Sequence, residues 1–361
     1  MMEHSPRYIR QTSLPDFGPE GQMQLRKGKV LIVGLGGLGV PVAQYLNAMG
    51  IGTLGLMDND SIALHNLQRQ VLYAEEDVGQ PKIAIAKKKL EAQNCETHID
   101  LHQEYLSAKN ALDILSKYDV IVDATDNFGT RYLINDACVL LNKPFVYGAL
   151  QGFEGQVSVF NYKAGPTYRC VFPDPPKGGE IPSCNENGIL GVLPGIIGTL
   201  QALEVVKLLS GKGQLLSGTL LLYDGNIQMM QKIKLKTFPK NKKITALQPT
   251  YGIPGCETTS PVVRFEVIQD RTVMENIQLI DVRDPEEFVS YHLKSAINIP
   301  LTNLEDHLIR IDLKRPVYFI CQSGKRSGYA VRKMQELLPK AEVYSIEGGM
   351  IALPDTIKLS L

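Results

Sequence analysis

The segment KVLIVGLGGLG, residues 29–39, constrains the fold of this chain more than any other. An apolar run passes directly into a cluster of glycines, and VAQYLNAMG follows with helical spacing. Such a run predicts a strand buried on both faces of a parallel sheet. The four glycines, Gly34, Gly36, Gly37 and Gly39, permit a tight turn, and the N-terminus of the helix behind them favours phosphate oxygens. The segment therefore predicts a nucleotide-binding strand–turn–helix unit.

Further apolar runs alternate with helical patterns in the first two thirds of the chain. TLGLMDND, DVIVDATDN and KPFVYGAL predict strands, and PKIAIAKKKLEAQN predicts a helix with a basic face. This alternation is typical of an α/β fold with a doubly wound, Rossmann-like, mostly parallel sheet. The apolar stretch 188–209 contains Gln201, Glu204 and Lys207, so we predict a buried helix rather than a membrane span.

The pattern changes after about Met230. A basic stretch and then a segment rich in Pro, Gly and Thr predict an edge strand followed by a linker. Beyond the linker, IQLIDVRD, SAINIPL, PVYFICQ and AEVYSI predict strands, and SGYAVRKMQELL predicts a helix. We therefore predict a first domain over residues 1–240, a linker over 241–263 and a small α/β domain over 264–361.

Composition limits the class of protein. The 361 residues are 44% hydrophobic and 21% charged with zero formal net charge, which is typical of a soluble globular protein and gives no reason to expect nucleic acid or an anionic membrane as partner. The six cysteines are scattered without a C-x-x-C pair, which favours the reducing cytoplasm over a disulfide framework. The opening MMEHSPRYIRQ lacks the apolar core of a signal peptide.

Charged side chains follow the predicted strands where a nucleotide would bind. DNDSIALHNLQRQ supplies acids, an amide and a guanidinium, GQPK supplies an ammonium, and DATDN supplies a further acidic group. The residues concerned are Asp58, Asp60, Asn66, Arg69, Gln70, Lys82, Asp123, Asp126 and Asn127. Cations offset charge that develops on phosphates, and a carboxylate can hold magnesium. These residues favour an enzyme that cleaves a nucleoside triphosphate over an NAD-dependent oxidoreductase. The oxidoreductase remains an alternative.

The motifs RYIRQ, GLGGLG, DND…HNLQRQ, GQPK and DATDN, in this order, resemble those of the MoeB/ThiF adenylyltransferases over roughly residues 5–235. The resemblance implies that Asp58 holds the ribose of ATP and that Asp126 holds Mg²⁺. It implies phosphate contacts from Asn66, Arg69 and Lys82. It also implies that Arg10 reaches the triphosphate of a neighbouring subunit, and therefore a homodimer. Asp60, Gln70 and Asn127 complete the expected cofactor-binding set, although Asp60 or Gln70 could bond only backbone and Arg10 could be a plain surface residue.

The implied reaction is adenylation of the C-terminal glycine of a ubiquitin-like sulfur carrier ending in Gly-Gly. The family often carries two C-x-x-C pairs that bind structural zinc. Here the first pair is TYRC, with Thr167 in place of one cysteine before Cys170, and KTFPKNKK offers no second pair. We therefore predict no zinc site, because such a site needs four ligands.

The segment 173–191, rich in Pro, Gly and polar residues, predicts a loop near the active site. It contains Cys184 before a predicted helix start, with Lys177 nearby. Both features favour a thiolate. In the family, a cysteine here is a candidate acyl or persulfide acceptor, so Cys184 is a candidate catalytic residue, with an inert thiol as the alternative.

The stretch CQSGKRS, residues 321–327, predicts an anion-binding loop between a strand and a helix. Gly324 permits the turn, and backbone N–H groups with Lys325 and Arg326 would favour a thiolate or persulfide at Cys321. The loop residues are Cys321, Gln322, Ser323, Gly324, Lys325, Arg326 and Ser327. Its Cys-to-Arg spacing is one residue shorter than the C-x5-R of cysteine phosphatases, which suits a sulfur atom better than a phosphate.

The segments DVR…EF…H-x-x-x-A-x-N-I-P and GG around this loop resemble the rhodanese domain, with Leu353 where many members have Trp. We expect Asp281 and Arg283 to pair structurally near the loop and His292 to bond backbone. The combined hypothesis is that a Cys321 persulfide, loaded by a desulfurase or thiosulfate, attacks the carrier adenylate and yields a thiocarboxylate. The thiocarboxylate would serve molybdopterin, thiamine or another acceptor. The alternative is an adenylyltransferase whose rhodanese domain only docks a partner.

Overall fold

The computed structural model describes residues 5–175, 188–251, 261–266, 277–339 and 341–359. The chain divides into two compact units, residues 1–257 and 258–361. Cys184 and Lys177 lie outside the described residues, as does the side chain of Lys325.

The first unit is built around one eight-stranded sheet. Its strands are β1 (Lys29–Val33), β2 (Thr53–Met57), β3 (His98–His102), β4 (Val120–Asp123), β5 (Phe145–Gln151), β6 (Glu154–Phe160), β7 (Thr219–Asp224) and β8 (Met229–Lys234). Its described helices are α1 (Ile9–Thr12), α2 (Gly18–Lys27), α3 (Gly39–Ala48), α4 (Lys82–Gln93), α5 (Ala111–Ser116), α6 (Phe128–Leu140) and α7 (Val192–Ser210).

The strand order is β3-β2-β1-β4-β5-β6-β7-β8. Strands β3, β2, β1, β4 and β5 run parallel, whereas β6, β7 and β8 extend the sheet by antiparallel pairing. Val33 at the end of β1 pairs with both Met57 of β2 and Asp123 of β4. The carboxyl ends of three adjacent strands therefore lie together, with the switch in strand order at β1, which is where such sheets bind ligands.

Two hydrophobic cores cover the two faces of this sheet. Val30 and Ile32 of β1 belong to one core, and Leu31 and Val33 belong to the other. Since alternate side chains of a strand point to opposite faces, β1 is buried on both sides. The predicted doubly wound α/β fold is confirmed.

Helix α7 packs in the core, as the sequence predicts. By length and composition alone it could cross a membrane. Its Gln201 is fully buried, however, and Nε2 donates to the Asp123 carbonyl oxygen at 2.8 Å. Glu204 is also buried and accepts from the Leu216 backbone N–H at 2.9 Å. These polar side chains satisfy backbone groups of the same unit, which identifies α7 as an internal helix.

Part of the predicted linker folds onto the first unit. Leu247 and Tyr251 pack against the core that contains Leu31, and Tyr251 donates its hydroxyl proton to Asp136 Oδ2 at 2.8 Å. The predicted domain boundaries at residues 240 and 264 stay predictions.

The second unit has a five-stranded parallel sheet of order β12-β10-β13-β14-β9. Its strands are β9 (Val262–Val263), β10 (Gln278–Asp281), β12 (Ile297–Asn298), β13 (Val317–Ile320) and β14 (Val343–Ile346). Strands β11 (His292–Leu293) and β15 (Lys358–Leu359) form a separate antiparallel pair. The described helices are α8 (Pro285–Ser290) and α9 (Lys325–Leu337).

Candidate active sites

The glycine turn between β1 and α3 is too tight for side chains at two positions. Gly34 has a φ of +97°, and a Cβ there would lie 2.7 Å from the Ala124 carbonyl oxygen. A Cβ at Gly39 would lie 1.8 Å from the Gly34 carbonyl oxygen. The turn therefore depends on glycine at both ends, and it leaves the N-terminus of α3 at the carboxyl edge of the sheet.

Asp58, directly after β2, ties its own loop to the glycine turn. One carboxylate oxygen accepts from the Leu35 N–H at 2.7 Å and the other from the Asp60 N–H at 2.8 Å. Burial raises the pKa of the Asp58 carboxyl above its usual value, although Lys82 and these N–H groups act in the opposite direction. Each oxygen retains a further lone pair, so the carboxylate can still accept from a ribose hydroxyl.

Lys82 begins α4 and is paired with Asp60. Its side chain is 6% exposed, and Nζ lies 2.9 Å from Asp60 Oδ2. The hydroxyl of Tyr105 donates to the other oxygen of Asp60 at 3.2 Å. Burial and the negative charge of Asp60 raise the pKa of Tyr105. An ammonium at a helix N-terminus is disfavoured by the helix dipole, so the Asp60 carboxylate stabilises it there.

Asn66, Arg69 and Gln70 lie in one turn beside the glycines. The Asn66 carbonyl accepts from the N–H groups of Arg69 and Gln70 at 3.1 and 3.0 Å. A Cβ at Gly37 would lie 3.4 Å from Arg69 Cδ, and one at Gly36 would lie 3.8 Å from Gln70 Nε2. Gln70 is 3% exposed, and within the part of the chain that the structure describes its Oε1 has no hydrogen-bond partner.

The DATDN segment, which begins at the last residue of β4, contains two carboxylates that differ in burial. Asp123 is fully buried, accepts from Thr125 Oγ1 at 2.6 Å and faces Arg131 Nε at 3.7 Å. Burial raises its pKa, with Arg131 acting against the rise. Asp126 is exposed at the sheet edge. Asn127 caps α6, because its Oδ1 accepts from the Thr130 N–H at 2.8 Å.

The carboxyl edge of β2, β1 and β4 thus carries most of the predicted nucleotide residues. Arg10 is exposed on α1. The residues that bond with one another or line the glycine turn are Gly34, Gly36, Gly37, Gly39, Asp58, Asp60, Asn66, Arg69, Gln70 and Lys82.

Cys170 occupies the position of one zinc-binding cysteine in related proteins of the family. Its Sγ accepts from the Phe238 N–H at 3.3 Å and lies 3.4 Å from Thr167 Oγ1. The KTFPKNKK stretch therefore does lie beside this cysteine. Burial raises the pKa of the Cys170 thiol, but the hydrogen bonds from Thr167 and Phe238 outweigh burial and lower it overall. The absence of zinc stays a prediction.

The second candidate site is the turn between β13 and α9. Cys321 directly follows β13 and is 1% exposed, and its Sγ lies 3.5 Å from Ser327 Oγ. Gly324 adopts a φ of +84° at the N-cap of α9. The Met350 N–H donates to the Cys321 carbonyl at 2.8 Å. A Cβ at Gly349 would lie 2.3 Å from that carbonyl, so the GG motif closes the loop from the other side.

A buried ion pair supports this loop. Arg283 and Asp281 are both fully buried, and Arg283 donates to Asp281 Oδ2 at 2.7 Å. Arg283 also donates to Gln322 Oε1 at 3.2 Å, which fixes the residue after the cysteine. His292 bonds the Phe288 carbonyl at 3.1 Å by Nδ1. The pairing expected of Asp281 with Arg283 and the backbone bond expected of His292 are confirmed.

Arg326 is held by acidic side chains of α8 and its N-cap. Its guanidinium donates to both oxygens of Glu287 at 2.7 and 2.8 Å, and it lies 3.6 Å from Asp284. Burial raises the pKa of Glu287, but the bonds from Arg326 and the Asp284 N–H lower it overall. Ser323 is exposed.

Three residues at these sites were not predicted from the sequence. Tyr105 bonds Asp60, Arg131 pairs with Asp123, and Ser345 lies 2.8 Å by its Oγ from Ser327 Oγ. Tyr105 and Ser345 lie far along the chain from their partners. Arg131 had a signal, since it is a cation within a mostly apolar helix, FGTRYLINDACVL.

Family models match nearly the whole chain. The ThiF family matches residues 8–245, and the rhodanese-like domain matches residues 266–353. The chain is similar to the Adenylyltransferase and sulfurtransferase MOCS3 of Drosophila sechellia, at 39% identity over 97% of this chain and 83% of the relative. It is also similar to the Sulfur carrier protein adenylyltransferase of Thermus thermophilus, at 49% identity over 66% of this chain and 90% of the relative.

Solved structures resemble the first unit in fold. E. coli MccB superposes with a TM-score of 0.59 at 22% identity, over 68% of this chain and 74% of MccB. E. coli MccB in a structure with ATP superposes with a TM-score of 0.58 at 22% identity, over 65% of this chain and 73% of that one.

Proposed function

Because the chain belongs to the ThiF family and carries a rhodanese-like domain, we propose that it adenylates the C-terminal glycine of a ubiquitin-like sulfur carrier and converts that glycine to a thiocarboxylate. It is an adenylyltransferase and a sulfurtransferase. The observation that carries the proposal is the presence in one chain of a nucleotide edge with Arg69, Lys82 and Asp126 and of a cysteine loop at Cys321.

In the first step, a carboxylate oxygen of the carrier attacks the α-phosphorus of ATP, and pyrophosphate leaves. The Lys82 ammonium and the Arg69 guanidinium would offset the charge that builds on the departing phosphates. The Gln70 Oε1, buried beside the glycine turn, is available to accept a hydrogen bond from the nucleotide.

The residues present fit a magnesium ion at one position. Asp126 is an exposed carboxylate at the sheet edge, whereas Asp123 is buried against Arg131 and does not fit. Mg²⁺ is commonly held by one or two carboxylates together with phosphates and water. The ion would neutralise phosphate charge when bound. Asp126 would hold it.

In the second step, the Cys321 thiolate attacks the outer sulfur of a persulfide or other sulfane donor, and the donor leaves as a thiolate or equivalent anion. The Cys321 persulfide then attacks the acyl-adenylate, and AMP leaves. A second thiolate, for which Cys184 is the candidate, attacks Cys321 Sγ and releases the carrier thiocarboxylate. The disulfide formed in this way needs an external dithiol as reductant. Such chemistry fits the cytoplasm, which keeps thiols reduced.

ATP–pyrophosphate exchange tests the first step with carriers that end in Gly-Gly. We expect exchange that requires such a carrier and falls by about 100-fold in Lys82→Ala, since one positioned charge is commonly worth that much. Lys87→Ala is the matched control, because Lys87 lies on the same helix with a side chain 38% exposed and should change exchange little. Exchange that is independent of the carrier or unaffected by Lys82→Ala would contradict the proposal.

A further inference from the structure

Two buried hydroxyl oxygens lie behind the reactive sulfur of the second unit. Cys321 Sγ lies 3.5 Å from Ser327 Oγ, which lies 2.8 Å from Ser345 Oγ. The three residues are 1%, 0% and 2% exposed. Solvent therefore does not compete for these contacts.

Ser345 occupies a position where an apolar residue would be expected. It lies in β14 between β13 and β9, and Val343 and Ile346 of the same strand are buried in the cores. Placing a hydroxyl there costs free energy unless it is hydrogen-bonded. Ser327 Oγ supplies that bond. The bond links β14 to the loop that follows Cys321.

The protons of the two hydroxyl groups can be arranged in two ways. With a neutral thiol, the Cys321 S–H donates to Ser327 Oγ, and Ser327 donates to the Gly324 carbonyl at 3.1 Å. With an anionic sulfur, Ser327 must turn its only proton to Sγ. The Gly324 carbonyl stays bonded, because the Gly328 N–H also donates to it at 3.1 Å. In both arrangements Ser345 donates its proton to Ser327 Oγ, because the single proton of Ser327 is used elsewhere.

We propose that Ser345 is a positioning residue that acts through Ser327 to favour the anionic form of the Cys321 sulfur. A hydroxyl that accepts a hydrogen bond becomes a stronger donor, so the proton of Ser345 strengthens the bond from Ser327 to sulfur. The Ser327 hydroxyl switches between the Gly324 carbonyl and the sulfur by rotation alone, without movement of a heavy atom. The role in turnover rests on the proposed sulfur transfer at Cys321.

The charged groups that surround the loop are paired with one another. Arg326 of α9 is bound by Glu287, and Arg283, which reaches Gln322, is bound by Asp281. The side chain of Lys325 lies outside the described residues. Hydroxyl donors therefore add to the backbone N–H groups of the loop, because both described guanidinium groups already serve carboxylates.

The test is the rate of Cys321 alkylation by iodoacetamide against pH, read on the Cys321 peptide by mass spectrometry in the full chain. We expect Ser345→Ala to move the midpoint of the curve up by about half a pH unit and to lower the rate at pH 7 about threefold. Ser345→Thr keeps the hydroxyl and should restore most of the rate. Ser290→Ala, which removes an exposed hydroxyl bonded to the Glu287 carbonyl, is the matched control.

A double-mutant cycle distinguishes this role from a merely structural one. In a Ser327→Ala background, Ser345→Ala should not shift the midpoint further, because its effect passes through Ser327. An unchanged midpoint in Ser345→Ala, or the same shift with and without Ser327, would overturn the proposal. Alkylation needs neither carrier nor sulfur donor, so this result is independent of whether sulfur transfer itself is demonstrated.

Discussion

Neighbouring acidic residues at the nucleotide edge differ in what surrounds them. Asp123 is buried against Arg131 and Thr125, and burial raises its pKa. Asp126, three residues later, is exposed. A buried, paired carboxylate fixes the loop, and an exposed one can bind a hard cation. The DATDN motif therefore supplies one structural and one candidate ligand carboxylate.

The sequence predicted which residue types gather at this edge but not how they pair. Asp60 is paired with Lys82 and Tyr105, which are distant along the chain, so a local pattern carried no signal for either contact. Asn127 is different. It was predicted to bind the cofactor, and its side chain caps α6. An Asn directly before a helix is a recognised cap, so the sequence did contain this alternative.

Glu287 should give the second unit a measurable dependence on pH. Its pKa is lower in the folded chain than its ordinary value, so the charged form stabilises the folded state. That contribution is fully present above the ordinary glutamate pKa of about 4.3. It is lost as pH falls through the lower folded-state pKa. Glu287→Gln should therefore reduce the free energy of unfolding by about 1 kcal/mol at pH 7, a small value because the side chain is 33% exposed.

The loss should shrink towards zero only as pH falls below the lowered folded-state pKa of Glu287, where the carboxyl is protonated in both the folded and the unfolded state. The loss of stability is measured by urea unfolding, with hydrogen exchange in peptides that cover β13 and α9 as the readout. Glu286→Gln is the control, because Glu286 is an exposed neighbour on the same helix. An equal loss at acid and neutral pH would contradict the assignment.

At the scale of elements, the cysteine loop is held from two sides. Helix α9 begins at its end, and the turn after β14 closes on it through the Met350 and Ile351 N–H groups. Gly349, with a φ of +60°, permits this approach. The loop that begins at Cys321 therefore depends on Gly349, which lies beyond both α9 and β14 in the chain.

Gly349→Ala should abolish sulfur transfer by opening the loop. Its Cβ would lie 2.3 Å from the Cys321 carbonyl and 2.6 Å from the Gly324 nitrogen. We expect a loss of stability of about 1–3 kcal/mol and a fall in carrier thiocarboxylate formation of more than about tenfold. Gly328→Ala is the matched control. It lies in α9 with open space at the Cβ position and should stabilise the unit by about 0.5–1 kcal/mol. Equal activity of both variants would contradict this account.

Apolar runs and helical spacing predicted β1, β2, β4, β5, β10, β12, β13, β14, α3, α4, α7 and α9, and the structure confirms these elements. Strands β3, β6 and β7 and helices α2 and α6 were not predicted. The two-residue strands β9, β11 and β15 were not predicted either, because they are too short to show a period. The antiparallel direction of β6, β7 and β8 also escaped prediction, because strand direction depends on pairing partners and not on local pattern.

At the scale of the whole molecule, the proposed homodimer has a specific test. If Arg10 acts on the neighbouring subunit, Arg10→Ala and Lys82→Ala should each lower exchange by about 100-fold alone, yet restore part of it when mixed. In a mixed dimer, one site combines the intact Lys82 of one chain with the intact Arg10 of the other. Because half of the dimers are mixed and each has one intact site, about one quarter of wild-type exchange should return.

ATP–pyrophosphate exchange after dissociation and reassociation of an equimolar mixture measures the recovery. The control is a mixture of Lys82→Ala with Arg69→Ala. If both residues hold phosphates, each chain supplies them to its own site. Mixed dimers should therefore form without any intact site. No recovery in the first mixture, or equal recovery in both, would contradict an Arg10 contribution across subunits.

The central claim is that one chain joins carboxylate activation to sulfur transfer. The most direct test is the intact mass of a Gly-Gly carrier after incubation with the enzyme, ATP, Mg²⁺, a sulfane sulfur donor and a dithiol. With the wild type, one carboxylate oxygen of the carrier should be replaced by sulfur. With Cys321→Ala, the carrier mass should not change while ATP–pyrophosphate exchange persists. Thiocarboxylate formation that survives Cys321→Ala would contradict sulfur transfer through Cys321 and leave the second unit as a docking module.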